Sequence, residues 1–438
     1  MDFVPHSLES PHRIDPRHFT RTRKLPLHRL IVFVLHLVAR GRTEGMDIEA
    51  QTFFAQARQS GLWPEAEAAS RSALSRRRAL APWTLFADLL GKALRLADEL
   101  WTGAGHWHGL RVLAIDGSHF TLPATAPLRR AFDPLSGLEH PGKGHYPQCL
   151  IVTLYDVLRR LPLARAIVAN DASEREQALA LLREAGGQSQ IVLFDRGFPQ
   201  FDLLAALLHE CKGHFLMRCP ATSTFREIVA FAQSGAQEAI IHLRPSDLYL
   251  RQCSPERRQR AKAQRLVLRA IRLQAPDGKL SVLLTDLLDA RAHSAADLRE
   301  LYWQRWRVEE YFREEKVVMD VEAFHGKSEN AIRQELFAAA IMTVIARLMA
   351  NIAQHAQPSP NPAARPQDKN ALIATAQAAC LLAPENPRRA IALFEQLLER
   401  IQRVKYYPPP KKRPPQPRVT KQIINKWAFN KKAKLHAP

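Results

Sequence analysis

Tyr302, Arg305, Glu309 and Lys316 stand at offsets of 0, 3, 7 and 14 in the stretch YWQRWRVEEYFREEK, residues 302–316. Residues 294–316 hold neither Gly nor Pro, and Ser294 with Asp297 three positions later reads as a capping box, so one long helix is expected here. At about 100° per residue the four side chains fall within an arc of about 60°, in a row about 21 Å long. Leu301, Val308, Phe312 and Met319 form an adjoining apolar stripe that such a helix can bury. One carboxylate flanked by two cations and a phenol could hold a metal ion and grip phosphates around it. A solvated face with ordinary i,i+4 ion pairs would look the same in isolation. The chemical reading therefore requires further acids, set at the ends of strands.

Two acids meet that requirement. Asp116 closes the apolar run VLAID before Gly117-Ser118, and Asp195 closes IVLFD before Arg196-Gly197. Each alone is an ordinary way to leave a strand. Together they can place two carboxylates side by side at one sheet edge, with Glu309 as a third. Three carboxylates suit hard cations, Mg²⁺ or Mn²⁺, which keep open positions for phosphate and water. Two such ions roughly 3.5–4 Å apart stabilise the attacking and leaving oxygens of a phosphodiester displacement. Arg305 and Lys316 would then hold the backbone being cut.

The charge of the whole chain agrees with a polyanionic partner. Its 438 residues carry 63 Lys and Arg against 43 Asp and Glu, a formal net charge of +20. The apolar run at residues 30–39 is too short to cross a bilayer and lacks a signal-peptide cleavage site, so no membrane partner is expected. Cys149, Cys211, Cys219, Cys253 and Cys380 form no CxxC pair and have no His at zinc-finger spacing, which points to a reducing, cytoplasmic setting without structural zinc.

The elements that must position the acids follow from periodicity. Residues 1–105 read as helical, with a break at Gly61–Pro64 before a basic segment containing Arg71, Arg76, Arg77 and Arg78, a candidate helix-turn-helix. RVLAIDGSHFTLP, QCLIVTLYDV and PLARAIVAN read as three strands, followed by a helix capped by Ser173 and Glu176, the strand IVLFD, and a second helix. A mixed α/β sheet is expected. Residues 213 to about 280 look more strand-like, with Asp277-Gly278 as a hairpin turn. An apolar helical region, NAIRQELFAAAIMTVIARLMANIA, and the Pro-rich PSPNPAARPQ follow. From Ile401 the last 38 residues contain eleven Lys and Arg and no acid, the composition of a basic disordered arm suited to phosphate contact. His119 and His145 read as polar loop histidines.

The spacing Y302-x2-R305-x3-E309-x6-K316 resembles the Tyr-Arg-Glu-Lys signature of bacterial DDE transposases of the fourth insertion-sequence family. AIDGS at 114–118, FDRGF at 194–198 and LLTDLLD at 283–289 are similar to that family's blocks around the first Asp, the second Asp and the strand before the Glu helix. Ser118 stands where that family usually has Thr. The resemblance implies an RNase H-like mixed-sheet catalytic core interrupted by a β-rich insertion, which accounts for the 309 − 195 = 114 positions between the second Asp and the Glu. It divides the chain into a helical, DNA-binding part (1–105), the first part of the core (106–212), the insertion (213–280), the second part of the core (281–356), a linker with C-terminal helices (357–400) and the basic arm (401–438). Residues 213–290 offer Tyr249, Phe215, Phe225 and Phe231, but no Trp, for stacking a flipped base.

Carried over, the resemblance implies that Asp116, Asp195 and Glu309 bind two Mg²⁺ ions, with Mn²⁺ able to substitute, while Tyr302, Arg305 and Lys316 contact phosphates of the transposon end. The expected activity is cleavage and joining of insertion-sequence ends and target DNA, by a homodimer in the synaptic complex, in the bacterial cytoplasm at the nucleoid. A nuclease or resolvase on the same core, or an inactive DNA-binding derivative, is the alternative.

Overall fold

The computed structural model describes residues 3–4, 18–19, 25–40, 45–103, 105–135, 146–222, 225–274, 278–356, 358, 360–361 and 363–407. The chain opens with four helices, α1 (Leu27–Arg40), α2 (Met46–Gln59), α3 (Arg71–Ala79) and α4 (Trp83–Leu100). Gly61, at φ +75°, turns the chain after α2, and the Ser70 hydroxyl accepts from the Ala73 amide to start α3. Arg78, read as part of a basic DNA-facing cluster, is instead buried: it donates to Gln334, Glu335 and the Ala331 carbonyl. Arg76 is exposed, while Arg77 donates to the Leu25 carbonyl.

A short β1 (His106–Trp107) folds onto the long β2 (Leu110–Thr121), followed by α5 (Ala126–Phe132), β3 (Gln148–Asp156), β4 (Leu161–Ala169), α6 (Glu174–Ala185), β5 (Gln190–Phe194) and α7 (Phe201–His209). Then come β6 (His214–Pro220), α8 (Arg226–Gln233), β7 (Glu238–Leu243), α9 (Asp247–Gln252), α10 (Pro255–Ala263), β8 (Leu266–Gln274) and β9 (Leu280–Thr285). The long strands form one mixed sheet in the order β4-β3-β2-β5-β6-β9-β8-β7. β3 runs antiparallel to β2 and β4, whereas β5 is parallel to both β2 and β6. Strands from residues 213–280 thus continue the central sheet, and three helices lie among them. β8 and β9 form a hairpin closed by Gln274↔Leu280, with Gly278 at φ +80° in the turn; Asp277 lies outside the described residues.

After β9 come α11 (Ala295–Trp303), α12 (Trp306–Arg313), a π turn (Glu314–Val318) and the 28-residue α13 (Glu329–Ala356). β10 (Arg365–Pro366), α14 (Asp368–Gln377), α15 (Pro387–Arg403) and β11 (Lys405–Tyr406) complete the described chain. β10 pairs with β11, so helix and strand extend past position 401, where the arm was expected to begin; residues 408–438 and His145 lie outside the described residues.

Alternation along β2 sends successive side chains to two cores. Val112 and Ala114 join a cluster with α1, α4, α12 and α13, while Leu113 and Ile115 join one with α6 and α7. α13 is long and apolar enough to cross a membrane by length and composition, but 89% of its apolar window is buried inside the fold, as the central core helix.

Candidate active site

Asp116 lies in mid-strand rather than at a strand end. β2 continues to Thr121 against β3, where Asp116 pairs with Thr153. Its pairing with β5, however, runs only from Arg111↔Gln190 to Ala114↔Leu193. Asp116 therefore sits where β2 and β5 part, and Asp195 follows the last residue of β5 at the same edge. The Asp195 side chain is fixed by its own turn, with Oδ1 accepting from the Gly197 amide at 2.6 Å.

The expected single helix over 294–316 is interrupted. Ser294 caps α11 by accepting from the Asp297 amide at 3.1 Å. At Gln304–Arg305 the chain tightens, the Arg305 and Val308 amides each reaching back three residues, before α12 carries on. The π turn then widens the helix, with Met319 N donating to Glu314 O. Arg305 Nη2 donates to Glu309 Oε1 at 2.6 Å, and Nη1 lies 3.5 Å from Asp116 Oδ2. Lys316 Nζ donates to Ser118 Oγ at 2.9 Å and to the His119 carbonyl at 2.6 Å. Arg305 and Lys316 thus tie the helix to β2, and neither pairs with Glu310, Glu314 or Glu315. Tyr302 is buried, and Trp303 and Trp306 on either side of Arg305 are exposed.

A buried network sets the position of the π turn. Arg165 on β4 donates to Glu315 Oε1 (2.8 Å), to the Tyr311 hydroxyl (2.6 Å) and to the Leu336 carbonyl (2.6 Å). Tyr311 also donates to Glu315 and stacks on Tyr155 with 5.1 Å between centroids. Glu314 pairs with Arg347 of α13. Nothing in the local pattern of Glu315 or Arg165 distinguishes them from surface charges; only their tertiary placement does.

Burial pushes the Asp116 carboxyl up to about 7; Arg305 opposes this, and Asp195, Glu174 and Glu309 add to it. Burial raises Tyr302 to about 12 and lowers Lys316. Burial is thus the main cause at Asp116, with one cation and three further acids acting on the same carboxyl. Among the described residues no three His, Cys, Asp or Glu side chains converge at metal-ligand distance. Arg305 stands in as the cation between two carboxylates, and the Glu174 Oε1 atom is buried without a hydrogen-bond partner. Carboxylates around a bound guanidinium are hard oxygen donors of the kind a divalent ion takes, and Asp116, Asp195 and Glu309 are the ones that could hold it.

Residues 107–345 match the family described as "Transposase DDE domain". The chain belongs to that family. Within it, the chain is 27% identical over 267 residues to transposase InsG for insertion sequence element IS4 of Escherichia coli K12, covering 59% of this chain and 57% of that one. It is also 37% identical over 79 residues to a probable transposase for insertion sequence element IS5377 of Geobacillus stearothermophilus, 18% of this chain and 20% of that one. The chain thus spans little more than half of the first relative and a fifth of the second. The piggyBac transposase synaptic complex with hairpin DNA aligns over 91% of this chain and 81% of its own, at 13% identity and a TM-score of 0.42. Asp116, Asp195, Tyr302, Arg305, Glu309 and Lys316 all lie within the segment matched by the DDE family.

Of these six, Asp116, Arg305 and Glu309 form one contact chain. Lys316 joins the same strand two residues on, and Asp195 and Tyr302 lie close enough to shift the charge of their neighbours. His119 is exposed on β2. Phe215 and Phe231 are core residues, and the Tyr249 hydroxyl is engaged by Asp202.

Proposed function

We propose that this chain is a DNA transposase that cleaves and joins insertion-sequence ends by metal-dependent phosphoryl transfer, acting as a homodimer on DNA in the bacterial cytoplasm. The observation that carries this reading is the convergence of Asp116 and Glu309 on Arg305 at the edge where β2 and β5 part, beside Asp195. The strand order β4-β3-β2-β5-β6, with only β3 antiparallel to the rest of that set, supports an RNase H-like core whose acids gather at this edge.

On this reading Asp116, Asp195 and Glu309 would hold two Mg²⁺ ions, for which Mn²⁺ can substitute. Such ions, when bound, supply Lewis acidity to the attacking and leaving oxygens. The chain's own residues bind and orient the substrate. Arg305 offers a planar guanidinium to a phosphate, and Lys316 a point charge at the open end of β2. Tyr302, buried beside Arg305, interacts with its guanidinium. The exposed Trp303 and Trp306 indoles can take a base unstacked from the end. The first step frees a 3′-hydroxyl by hydrolysis; the second uses that hydroxyl to attack target DNA.

The test is to incubate the full chain with Mg²⁺ and DNA carrying the ends that flank its own gene. The expected products are cut ends bearing 3′-hydroxyls, followed by joined molecules. Cutting without joining would assign it to nucleases of the same core.

A further inference from the structure

Glu174 opens α6, whose first turn is wedged between the Asp116 strand and the Asp195 loop. Ser173 caps the helix by accepting from the Glu176 amide. Arg175 Nε donates to the Gly197 carbonyl at 3.0 Å, within the turn that holds Asp195. On its other side Glu174 lies against Gly117, next to Asp116: a Cβ on Gly117 would stand 2.6 Å from Glu174 Oε1 and 2.8 Å from its Cδ. Only glycine leaves that room. Three other buried carboxylates each have a guanidinium: Asp156 has Arg111 and Arg159, Glu315 has Arg165, and Glu335 has Arg78, while Glu49 faces His36 and Asp133 accepts from the Gln148 amide. Among the described residues the half-buried Glu174 forms no such ion pair; the Gly117 amide serves its carboxylate, but the Oε1 atom is enclosed with no hydrogen-bond partner.

A buried carboxylate oxygen without a donor is unfavourable unless something else brings positive charge to it. Asp116 and Asp195, on either side of the α6 turn, can only make it worse. We propose that Glu174 is a fourth acidic residue of the divalent-cation site, completing it from α6, and that Gly117 is glycine because the Glu174 carboxylate occupies the space of its side chain. This inference rests on the transposase reading above. It adds a residue outside the Tyr-Arg-Glu-Lys signature and outside the two Asp blocks.

The test uses the full chain without DNA and Mn²⁺ as the probe, read by the electron paramagnetic resonance of free Mn²⁺ and by the rise in melting temperature that Mn²⁺ causes. Glu174→Gln should weaken Mn²⁺ binding at least tenfold while leaving the metal-free melting temperature unchanged or higher, because an unpaired buried charge has been removed. Gly117→Ala should do the same by displacing the carboxylate, and the double variant should bind no more weakly than either single one. Asp116→Asn and Glu309→Gln separate the two levels of the argument. If these weaken Mn²⁺ binding and Glu174→Gln does not, the inference is overturned and the transposase reading stands. If no variant affects Mn²⁺, or the wild type binds none, both fall. A Glu174→Gln variant that melts lower without metal but binds Mn²⁺ normally would make Glu174 structural and overturn the inference.

Discussion

Arg305 lies with Nη1 3.5 Å from Asp116 Oδ2, a contact across 189 positions of chain, while its Nη2 holds Glu309 one helical turn away at 2.6 Å. The guanidinium is buried and the two acids are not equally so: Asp116 is mostly enclosed, and about a third of the Glu309 side chain is exposed. Removing the cation leaves two acids facing each other. Arg305→Ala should therefore reduce affinity for specific ends by ~1–3 kcal/mol, the range for charge-assisted hydrogen bonds, and also lower the metal-free melting temperature. Arg305→Lys should restore little, since one ammonium cannot reproduce both contacts. Gel-shift titration with thermal melts checks both; normal end binding with reduced stability alone would make Arg305 purely structural.

Lys316 reaches Ser118 and the His119 carbonyl because the π turn carries it toward β2. Lys316→Met keeps the aliphatic stem but removes the ammonium, whose Nζ lies 4.5 Å from the Phe120 ring centroid. It should weaken end binding by ~1–3 kcal/mol and, because Nζ also ties the helix to Ser118 and His119, lower the melting temperature modestly. A variant that binds ends normally would remove Lys316 from the phosphate grip.

The Arg165–Glu315–Tyr311 network is fully buried, so breaking it leaves an unpaired charge. Glu315→Gln should cost about 3–5 kcal/mol of stability by denaturant melts. Because the same network fixes the turn between Glu309 and Lys316, cleavage should also fall at temperatures where the variant remains folded. An unaffected melt would mean that the π turn is held by α13 packing alone.

Glu335 on α13 couples the N-terminal helices to the rest of the fold. Burial favours its neutral form, but Arg78 and the His325 contacts win, holding the carboxyl at about 2. A carboxyl depressed from 4.5 in this way contributes stability that is complete above pH 4.5 and lost as pH falls toward 2. Wild type should therefore lose stability over that window relative to Glu335→Gln, while at pH 7 Glu335→Gln should be less stable by about 3–5 kcal/mol, with Arg78 left buried and unpaired. Parallel pH profiles of the two would show no such convergence if the pair were inert.

The site was legible in sequence because its spacing is local on one side and punctuated on the other. Tyr302, Arg305, Glu309 and Lys316 share a short helical segment, and each Asp follows a short β-branched apolar run that reads as a strand. What spacing could not convey is tertiary. The tightening at Arg305 and the π turn come from docking α12 on β2 and β4, which local propensity does not encode. Asp116 reads as a strand end because Gly117 follows it, yet β3 continues the pairing to Thr121. Arg78 reads as surface charge, since its partners Gln334 and Glu335 lie over 250 positions away. Residues 213–280 show strand periodicity, but their place in the central sheet depends on the pairing of β6 with both β5 and β9.

The most direct measurement is of DNA cleavage and joining by Glu309→Gln in Mg²⁺. The substitution is nearly isosteric and still lets Arg305 donate to the side-chain carbonyl, so folding and end binding should persist. Cleavage and strand transfer should fall by at least about three orders of magnitude, as for Asp116→Asn and Asp195→Asn, and any two combined should cost little more than one because the residues act as a unit. Glu309→Gln cutting DNA at close to the wild-type rate would contradict the account and leave the helix that carries it as a scaffold.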